Sequence, residues 1–304
     1  MTGIFSGNLA VNKVYLGRTP IKKVYVGSVL VYEEAEPESF IPGNNILSSA
    51  SRMCIILPNG EYAATDWGNH CVKIFNSDGT LKLSYGSSGN GSGKFQNPYG
   101  IVRDSDGYLY ITDYRGQSSS YYLQKLSYDG QQISFVSQLQ VPGGGAQISY
   151  SSGRDALILN AYGSGKIIQV PRDLSGYTQI RSSVSLSIGN SFTADGLTLY
   201  HSMYSSGIQK SVYNSVNDTT PVTNTTVVSG ASGTTQGLAL SDDESYLLYV
   251  DNTNKCIKKV DLSNNNVTTV VADMFAYSIT NNGNNRFTWV GGSSDSTSIC
   301  RLDL

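Results

Sequence analysis

Four aromatic residues follow four successive predicted strands by one or two positions: Trp67, Tyr114, Tyr162 and Tyr204. Trp and Tyr rings offer a flat apolar face that stacks on a sugar ring or a base, and each carries a polar tip. We therefore predict that these four residues surround a shallow, uncharged, metal-free ligand-binding surface. The alternative is that each ring wedges against the neighbouring repeat of the chain.

Residue types for metal binding or acid–base catalysis are scarce. The chain has only two histidines, His70 and His201, too few for a catalytic zinc held by three imidazoles. Asp66, Asp113 and Asp251 recur at the end of equivalent predicted strands, and this repetition favours a structural role in accepting backbone hydrogen bonds. We find no matched set of carboxylates for calcium. We expect no catalytic residue, no metal and no cofactor, and hence not an enzyme.

The four cysteines lie far apart in the sequence and form no CxxC pair: Cys54, Cys71, Cys256 and Cys300. This spacing predicts neither a zinc site nor a disulfide framework. Three of them precede similar predicted strands, where a small apolar side chain packs well. We expect free thiols in the core.

The composition indicates a chain of short strands. Among 304 residues there are 32 glycines and 21 tyrosines, and 39% of the residues are hydrophobic, which favours strands joined by tight turns over helices. The formal net charge of −2 excludes an excess of basic residues for phosphates, so nucleic acid is not an expected partner. No apolar run reaches bilayer length and no signal peptide pattern opens the chain, so we expect no membrane insertion.

Six loose repeats fill the sequence after residue 45, each running from a half-buried strand through a turn to a second strand. Their mean length is about 43 residues, the period of a four-stranded propeller blade. Segments such as "YLYITD" alternate as strands do and lack helical spacing. The sequence therefore predicts an all-β, six-bladed propeller over residues 45–304. Because the last copy stops after its third strand, we expect residues 40–50 to supply the closing strand.

Two of the repeats carry a family resemblance. "TDWGNHCVKIFNSDG" (65–79) and "NPYGIVRDSDGYLYITD" (97–113) resemble NHL repeats, which form the blades of six-bladed propellers. The resemblance implies the same propeller fold for residues 45–304. The sequence departs from the pattern where such repeats usually have Arg, because Cys71 and Cys256 stand there. Any role of that Arg is therefore not implied for this chain.

A different repeat opens the chain. "GNLAVNKVYL" (7–16), "GRTPIKKVYV" (17–26) and "GSVLVY" (27–32) predict short strands between Gly turns, and the acidic, proline-containing residues 35–44 predict a linker. Strands this short need a partner to bury their faces, so residues 1–34 are predicted to form a docking or anchor segment. The alternative is an independent unit packed on the propeller. These Lys-Val-Tyr strings resemble segments of tailed-bacteriophage virion proteins, including tail fibre and tail-tip components.

Two functional hypotheses follow from these patterns. In the first, the chain is a bacteriophage virion attachment protein, made in the host cytoplasm. Residues 1–34 would dock on other virion proteins as a homo-oligomer, and the propeller would bind protein or host-surface glycan. In the second, it is a propeller enzyme of the lactonase or lyase type with an unrecognised site in its central channel.

Overall fold

The computed structural model describes residues 51–116, 121–162, 164–182, 184, 189–203, 207–229, 235–292 and 298–304, together with 47–48 and five short strands between 14 and 39. All regular elements in these ranges are strands, and no helix occurs in them. The described part of the chain accordingly contains no helical segment of the length and hydropathy that a membrane span requires. The all-β prediction is confirmed.

The predicted head contains two separate hairpins. Strands β1 (Val14–Leu16) and β2 (Thr19–Ile21) form one antiparallel pair, and β3 (Lys23–Val26) and β4 (Val29–Glu33) form the other. A fifth strand, β5 (Glu38–Ser39), leaves the head and pairs elsewhere. Tyr204, part of the predicted binding surface, lies outside the described residues, as do residues 1–13 of the head.

The remaining strands form six sheets of antiparallel neighbours in chain order, which is the predicted six-bladed propeller. Blade one contains β6 (Cys54–Ile56), β7 (Tyr62–Asp66), β8 (Cys71–Phe75) and β9 (Leu81–Tyr85). Blade two contains β10 (Pro98–Arg103), β11 (Leu109–Tyr114), β12 (Tyr121–Tyr128) and β13 (Ile133–Val141). Blade three contains β14 (Gly144–Ser151), β15 (Ala156–Tyr162), β16 (Lys166–Pro171) and β17 (Thr178–Ser182).

The last three blades follow the same order. Blade four contains β18 (Asn190–Phe192), β19 (Thr198–Met203), β20 (Gly207–Val212) and β21 (Thr223–Val228). Blade five contains β22 (Thr235–Leu240), β23 (Tyr246–Asp251), β24 (Cys256–Asp261) and β25 (Val267–Val271). Blade six contains β26 (Phe275–Ala276), β27 (Thr280–Asn281), β28 (Arg286–Gly292) and β29 (Ser298–Asp303), and is completed by β5.

The ring closes through β5, slightly upstream of the predicted segment. Ser39 pairs with Cys300 and Glu38 with Arg301, so the closing strand lies within the stretch predicted as a linker and just before residues 40–50. Leu47 then packs beside Phe75 and Ile299, which joins blade one to blade six. The difference arises because a two-residue outer strand is too short to show a strand pattern, and the nearby prolines suggested a linker.

The core lies between the blades. The second strand of a blade is buried on both faces, and every residue of β7 and of β23 is buried. The expectation that such segments alternate between buried and exposed residues, as half-buried strands do, was therefore wrong for these strands, because neighbouring blades cover both of their faces. The inner strands approach closely around the axis: a Cβ on Gly237 would lie 2.4 Å from Cα of Ser278 in the next blade.

The tight turn between the first two strands of blade two shows how the repeat folds locally. Asp104 Oδ1 accepts hydrogen bonds from the N–H groups of Asp106 (3.0 Å) and Tyr108 (2.9 Å). Gly107 has a φ of 95°, a conformation that L side chains rarely adopt. The "DSDG" sequence therefore determines this hairpin by turn chemistry.

Candidate ligand-binding site

The propeller has two distinct ends because successive strands of a blade run in opposite directions. Hairpins between the first and second strands lie at one end, which we call the turn end. Loops between the second and third strands lie at the other, together with the segments that connect the blades, and we call this the loop end. The predicted aromatic surface belongs to the loop end.

The structure separates the predicted aromatic residues. Trp67 and Tyr114 are half-buried at the loop end. Tyr114 stacks on Tyr121 of its own blade, with ring centroids 4.8 Å apart, and takes no part in a cluster with Trp67. Tyr162 ends β15, but its side chain lies outside the described residues, as does all of Tyr204.

Trp67 belongs to a group of side chains that the sequence did not reveal. Its ring meets that of Tyr99, in blade two, edge-on at 5.7 Å, so it contacts the neighbouring blade as the alternative interpretation expected. The guanidinium of Arg52 lies 5.0 Å from the Trp67 ring centroid, 5.5 Å from that of Tyr99 and 3.6 Å from that of Tyr277. We call Arg52, Trp67, Tyr99 and Tyr277 the Arg52 cluster.

The members of the Arg52 cluster come from three consecutive blades: six, one and two. Arg52 and Tyr99 occupy equivalent places, since the residue after each donates its N–H to a threonine of the second strand. These bonds run from Met53 N to Thr65 Oγ1 (3.3 Å) and from Gly100 N to Thr112 Oγ1 (2.8 Å). Tyr277 lies between β26 and β27 of blade six.

The main chain at Arg52 is held from the neighbouring blade as well. The Ser278 hydroxyl donates to the carbonyl oxygen of Arg52 at 3.1 Å. One hydrogen bond thus holds the main chain of the half-buried Arg52, and three rings surround its guanidinium, an arrangement that cation–π attraction stabilises.

Arg52 has no counter-ion in the described part of the chain. Its Nε and Nη1 atoms are shielded from water and have no hydrogen-bond partner. Asp66, next to Trp67 in sequence, is already neutralised by Lys73 Nζ at 2.6 Å and also accepts from Asn69 Nδ2 at 2.8 Å. Burial acts to raise the pKa of Asp66, but these bonds hold it below its ordinary value. The Arg52 cluster is therefore electropositive.

The three recurrent aspartates have the structural role that their repetition suggested. Asp66 and Asp251 accept bonds from the loop that follows them, from the N–H groups of Asn69 (3.4 Å) and Asn254 (3.1 Å). Asp113 instead accepts from the N–H groups of Gln96 (3.0 Å) and Asn97 (2.8 Å), in the segment entering its blade. These aspartates fix the loop-end connections.

A second candidate lies at the turn end, where the central channel opens into a cavity of about 560 Å³. Gln147 bridges the channel, with Nε2 donating to the carbonyl oxygens of Leu238 (3.0 Å) and Ile279 (3.2 Å) and Oε1 accepting from Leu238 N (3.1 Å). The volume is within the range of small-molecule pockets.

The polar groups of this cavity are mostly engaged within the protein. Asn282 Oδ1 accepts from Ile56 N at 2.7 Å, and its Nδ2 donates to Thr288 Oγ1 at 2.9 Å. Asn190 bonds Ser149 and Asn160. The described residues that line the cavity include no carboxylate, imidazole or thiol. Its amides therefore hold the blades together, and the Arg52 cluster is the better candidate for a ligand.

The remaining groups of chemical interest are enclosed. His201 is fully buried, and burial, with the charge of Arg181, lowers its pKa to about 3. All four cysteines are free and buried, and burial raises the pKa of the Cys300 thiol to about 12. Across the described residues, no group of three or more His, Cys, Asp or Glu side chains could hold a metal ion.

The aligned sequence contained a signal for the missed residues. The prediction compared the ends of second strands and so found Trp67. Arg52 and Tyr277 precede inner strands and Tyr99 lies at the start of one, and "NPYGI" and "FAYSI" place a tyrosine two residues before an isoleucine. Comparing the copies at this position would have brought Tyr99 and Tyr277 together.

The fold is shared with solved proteins of different functions. A streptogramin B lyase structure matches with a TM-score of 0.55 at 12% identity, covering 88% of this chain and 97% of that one. A PQQ-bound aldose sugar dehydrogenase from Streptomyces coelicolor matches with a TM-score of 0.60 at 13% identity, covering 88% and 98%. A nidogen/laminin complex matches with a TM-score of 0.57 at 13% identity, covering 73% and 82%. No protein-family model and no curated protein sequence matches the chain.

These matches confirm the six-bladed propeller and correct one expectation. The prediction that the chain is not an enzyme was wrong, because the fold does not exclude enzymes: solved propellers of this fold include a lyase and a dehydrogenase. Identities of 12 to 13% show the fold alone, so the possibility of an enzyme is open. The NHL resemblance and the virion resemblance of the head remain predictions, since no family model matches.

Proposed function

We propose that this chain is an attachment protein of a bacteriophage virion, whose propeller binds a host-surface glycan at the loop end. The Arg52 cluster carries the proposal: three aromatic rings and a guanidinium that has no counter-ion among the described residues lie together at one end of the propeller. Aromatic faces and a cation are suited to sugar rings and their polar substituents.

The head supports the virion part of the proposal. The two hairpins, β1–β2 and β3–β4, are two-stranded, and such hairpins are marginal when isolated. A docking role, with strands added from other virion proteins or from further copies of the chain, would stabilise them. Several copies on one particle would multiply a modest affinity for the glycan.

Two measurements test the proposed function. Mass spectrometry of gradient-purified phage particles should detect the chain as a particle component. A glycan array probed with the full chain should show binding, reduced roughly tenfold at most by Trp67→Ala, since one aromatic contact is worth about 1 kcal/mol. Tyr177→Ala is the matched control, because Tyr177 is an exposed ring in the turn-end loop before β17. Absence from particles, or no glycan bound, would contradict the proposal.

A further inference from the structure

We infer that the ligand of the Arg52 cluster is a carboxylate-bearing sugar, bound with its carboxylate against the Arg52 guanidinium and its ring against the aromatic faces. The inference rests on the proposed function, since it names the class of glycan that the loop end takes. It derives from the electrostatics and geometry of the described residues.

The first step concerns the hydrogen bonds that the Arg52 guanidinium makes. An arginine in a folded protein normally donates to carboxylates or carbonyl oxygens, because unmade hydrogen bonds of a shielded charge are costly. Arg154, which is more deeply buried than Arg52, follows this rule and donates to Gly196 O at 2.8 Å and Gln169 Oε1 at 3.1 Å. Arg52 differs: its Nε and Nη1 have no acceptor and are shielded from water. Nη2 is not among the shielded atoms, so it is the donor of Arg52 that a ligand at the loop end can reach.

The second step is the shape of the acceptor. A guanidinium is planar, and its N–H groups donate within that plane to anionic oxygens. The ring centroid of Tyr277 lies 3.6 Å from the guanidinium carbon, so this ring covers one face of the plane. Because Nε and Nη1 are shielded as well, a ligand acceptor has to approach at Nη2, in the plane of the guanidinium, and one carboxylate oxygen can do so.

The third step is the surroundings. The described residues supply no carboxylate to Arg52, and Asp66 is neutralised by Lys73. A negatively charged ligand thus meets no adjacent free carboxylate in the Arg52 cluster. The side chains of Trp67 and Tyr99 stand edge-to-face and are only half-buried, so part of each residue is exposed for contact with a sugar ring. Together these features favour an acidic sugar over a neutral one.

The experiment uses the full chain and an array of oligosaccharides that contain uronic or nonulosonic acids. Each is paired with its carboxyl-reduced, neutral form, and sulfated neutral sugars complete the panel at about 150 mM salt. We expect at least one acidic sugar to bind about 10- to 100-fold more tightly than its reduced partner, the range for a hydrogen-bonded charge pair. Arg52→Gln should abolish this difference, and Arg52→Lys should retain part of it.

Matched controls distinguish binding at Arg52 from a general attraction between positive charges on the protein and an acidic sugar. Lys166→Gln removes one positive charge from an exposed residue at the loop end of blade three and should bind as the wild type does. Melting curves will show whether Arg52→Gln folds, and Trp67→Phe gives a milder second variant that should weaken acidic sugars and reduced partners equally. Equal binding of acidic and reduced sugars would overturn the inference while leaving glycan binding intact. Tighter binding of the sulfated sugars than of the carboxylate-bearing ones would have the same meaning. Unchanged acid preference in folded Arg52→Gln would also overturn it, and binding of no sugar would overturn both proposals.

Discussion

Gln147 and Leu238 exchange two hydrogen bonds across the central channel, although they belong to blades three and five. The Gln147 side chain, on the inner strand of blade three, thus pairs with both the N–H and the carbonyl oxygen of Leu238, although blades three and five are not neighbours. Its Nε2 also reaches Ile279 O of blade six. A single amide therefore links half of the ring at its axis.

Replacing Gln147 with Leu should destabilise the propeller strongly. The substitution leaves buried main-chain groups of Leu238 and Ile279 without partners, and each such loss costs about 1 to 3 kcal/mol. We expect the free energy of unfolding to fall by about 3 kcal/mol in urea titrations. Gln131→Leu, at an exposed turn, is the control and should change it by less than about 0.5 kcal/mol. Equal effects of the two substitutions would show that the bridge contributes nothing.

Asp113→Asn should expose the cost of an unpaired buried cation. Arg115 is 5% exposed and donates from Nε to Asp113 Oδ2 at 2.9 Å. Removing the negative charge should lower the free energy of unfolding by about 3 kcal/mol, because the guanidinium stays buried.

The same change at Asp129 provides the comparison for Asp113→Asn. Asp129 accepts two backbone N–H bonds in an exposed turn, so Asp129→Asn should cost less than about 1 kcal/mol. The double variant Asp113→Asn/Arg115→Leu should cost less than the sum of its single changes. Strict additivity in this double-mutant cycle would contradict the coupling.

His201 should make the protein acid-sensitive. Its folded-state pKa of about 3 lies below the ordinary value near 6.5, so the unfolded chain binds the proton first as the pH falls. The stability that the neutral imidazole retains above pH 6.5 is therefore lost progressively between about pH 6.5 and 3. At pH 5 the loss from this residue should be about 2 kcal/mol relative to pH 7.5.

Urea titrations at both pH values will measure this contribution. His201→Asn should unfold with a smaller pH dependence than the wild type, whatever its stability at neutral pH. His70→Asn retains His201 and shows the effect of losing an imidazole elsewhere in the chain, and Asn tolerates the φ of 55° at that position. A His201→Asn variant with unchanged pH dependence would refute the assignment.

Two truncations should separate the head from the ring closure. Deleting residues 1–34 keeps β5, so the propeller should melt near the wild-type temperature but lose its assembly with partner chains. Deleting residues 1–40 also removes the strand that pairs with β29, and we expect a lower melting temperature. Calorimetry and light scattering will measure the two effects. If deletion of residues 1–34 unfolds the propeller, the division of the chain into a head and a propeller is wrong.

The sequence predicted the propeller because its repeats combine local signals that agree. The "DSDG" turn and the period of about 43 residues both describe one blade. The strand that contains "YLYITD" was predicted as well, although its residues are almost all buried and do not alternate. The closing strand was misplaced by a few residues. Glu38 and Ser39 gain their strand conformation from pairing with β29, a tertiary contact that leaves no pattern in two residues.

The candidate site was less predictable, since it depends on relationships between blades. Trp67 was found because it recurs at a fixed place within a repeat. Arg52 was missed because it has no charged counterpart in the other copies. Its candidacy as a binding residue also depends on Tyr99 and Tyr277, which are distant in sequence but close in space. Tyr114 shows the converse: its position in the repeat is equivalent to that of Trp67, but its ring stacks on Tyr121.

The place of β5 has a mechanical consequence. The chain runs from the head through Glu38 and Ser39 before it reaches blade one, so tension applied to an anchored head passes through this strand. Only two residues of β5 pair with β29, which makes this contact the first to peel apart under load. Separation of β5 from β29 would therefore open the ring between its first and last blades, while the other antiparallel pairs of each blade stay in place.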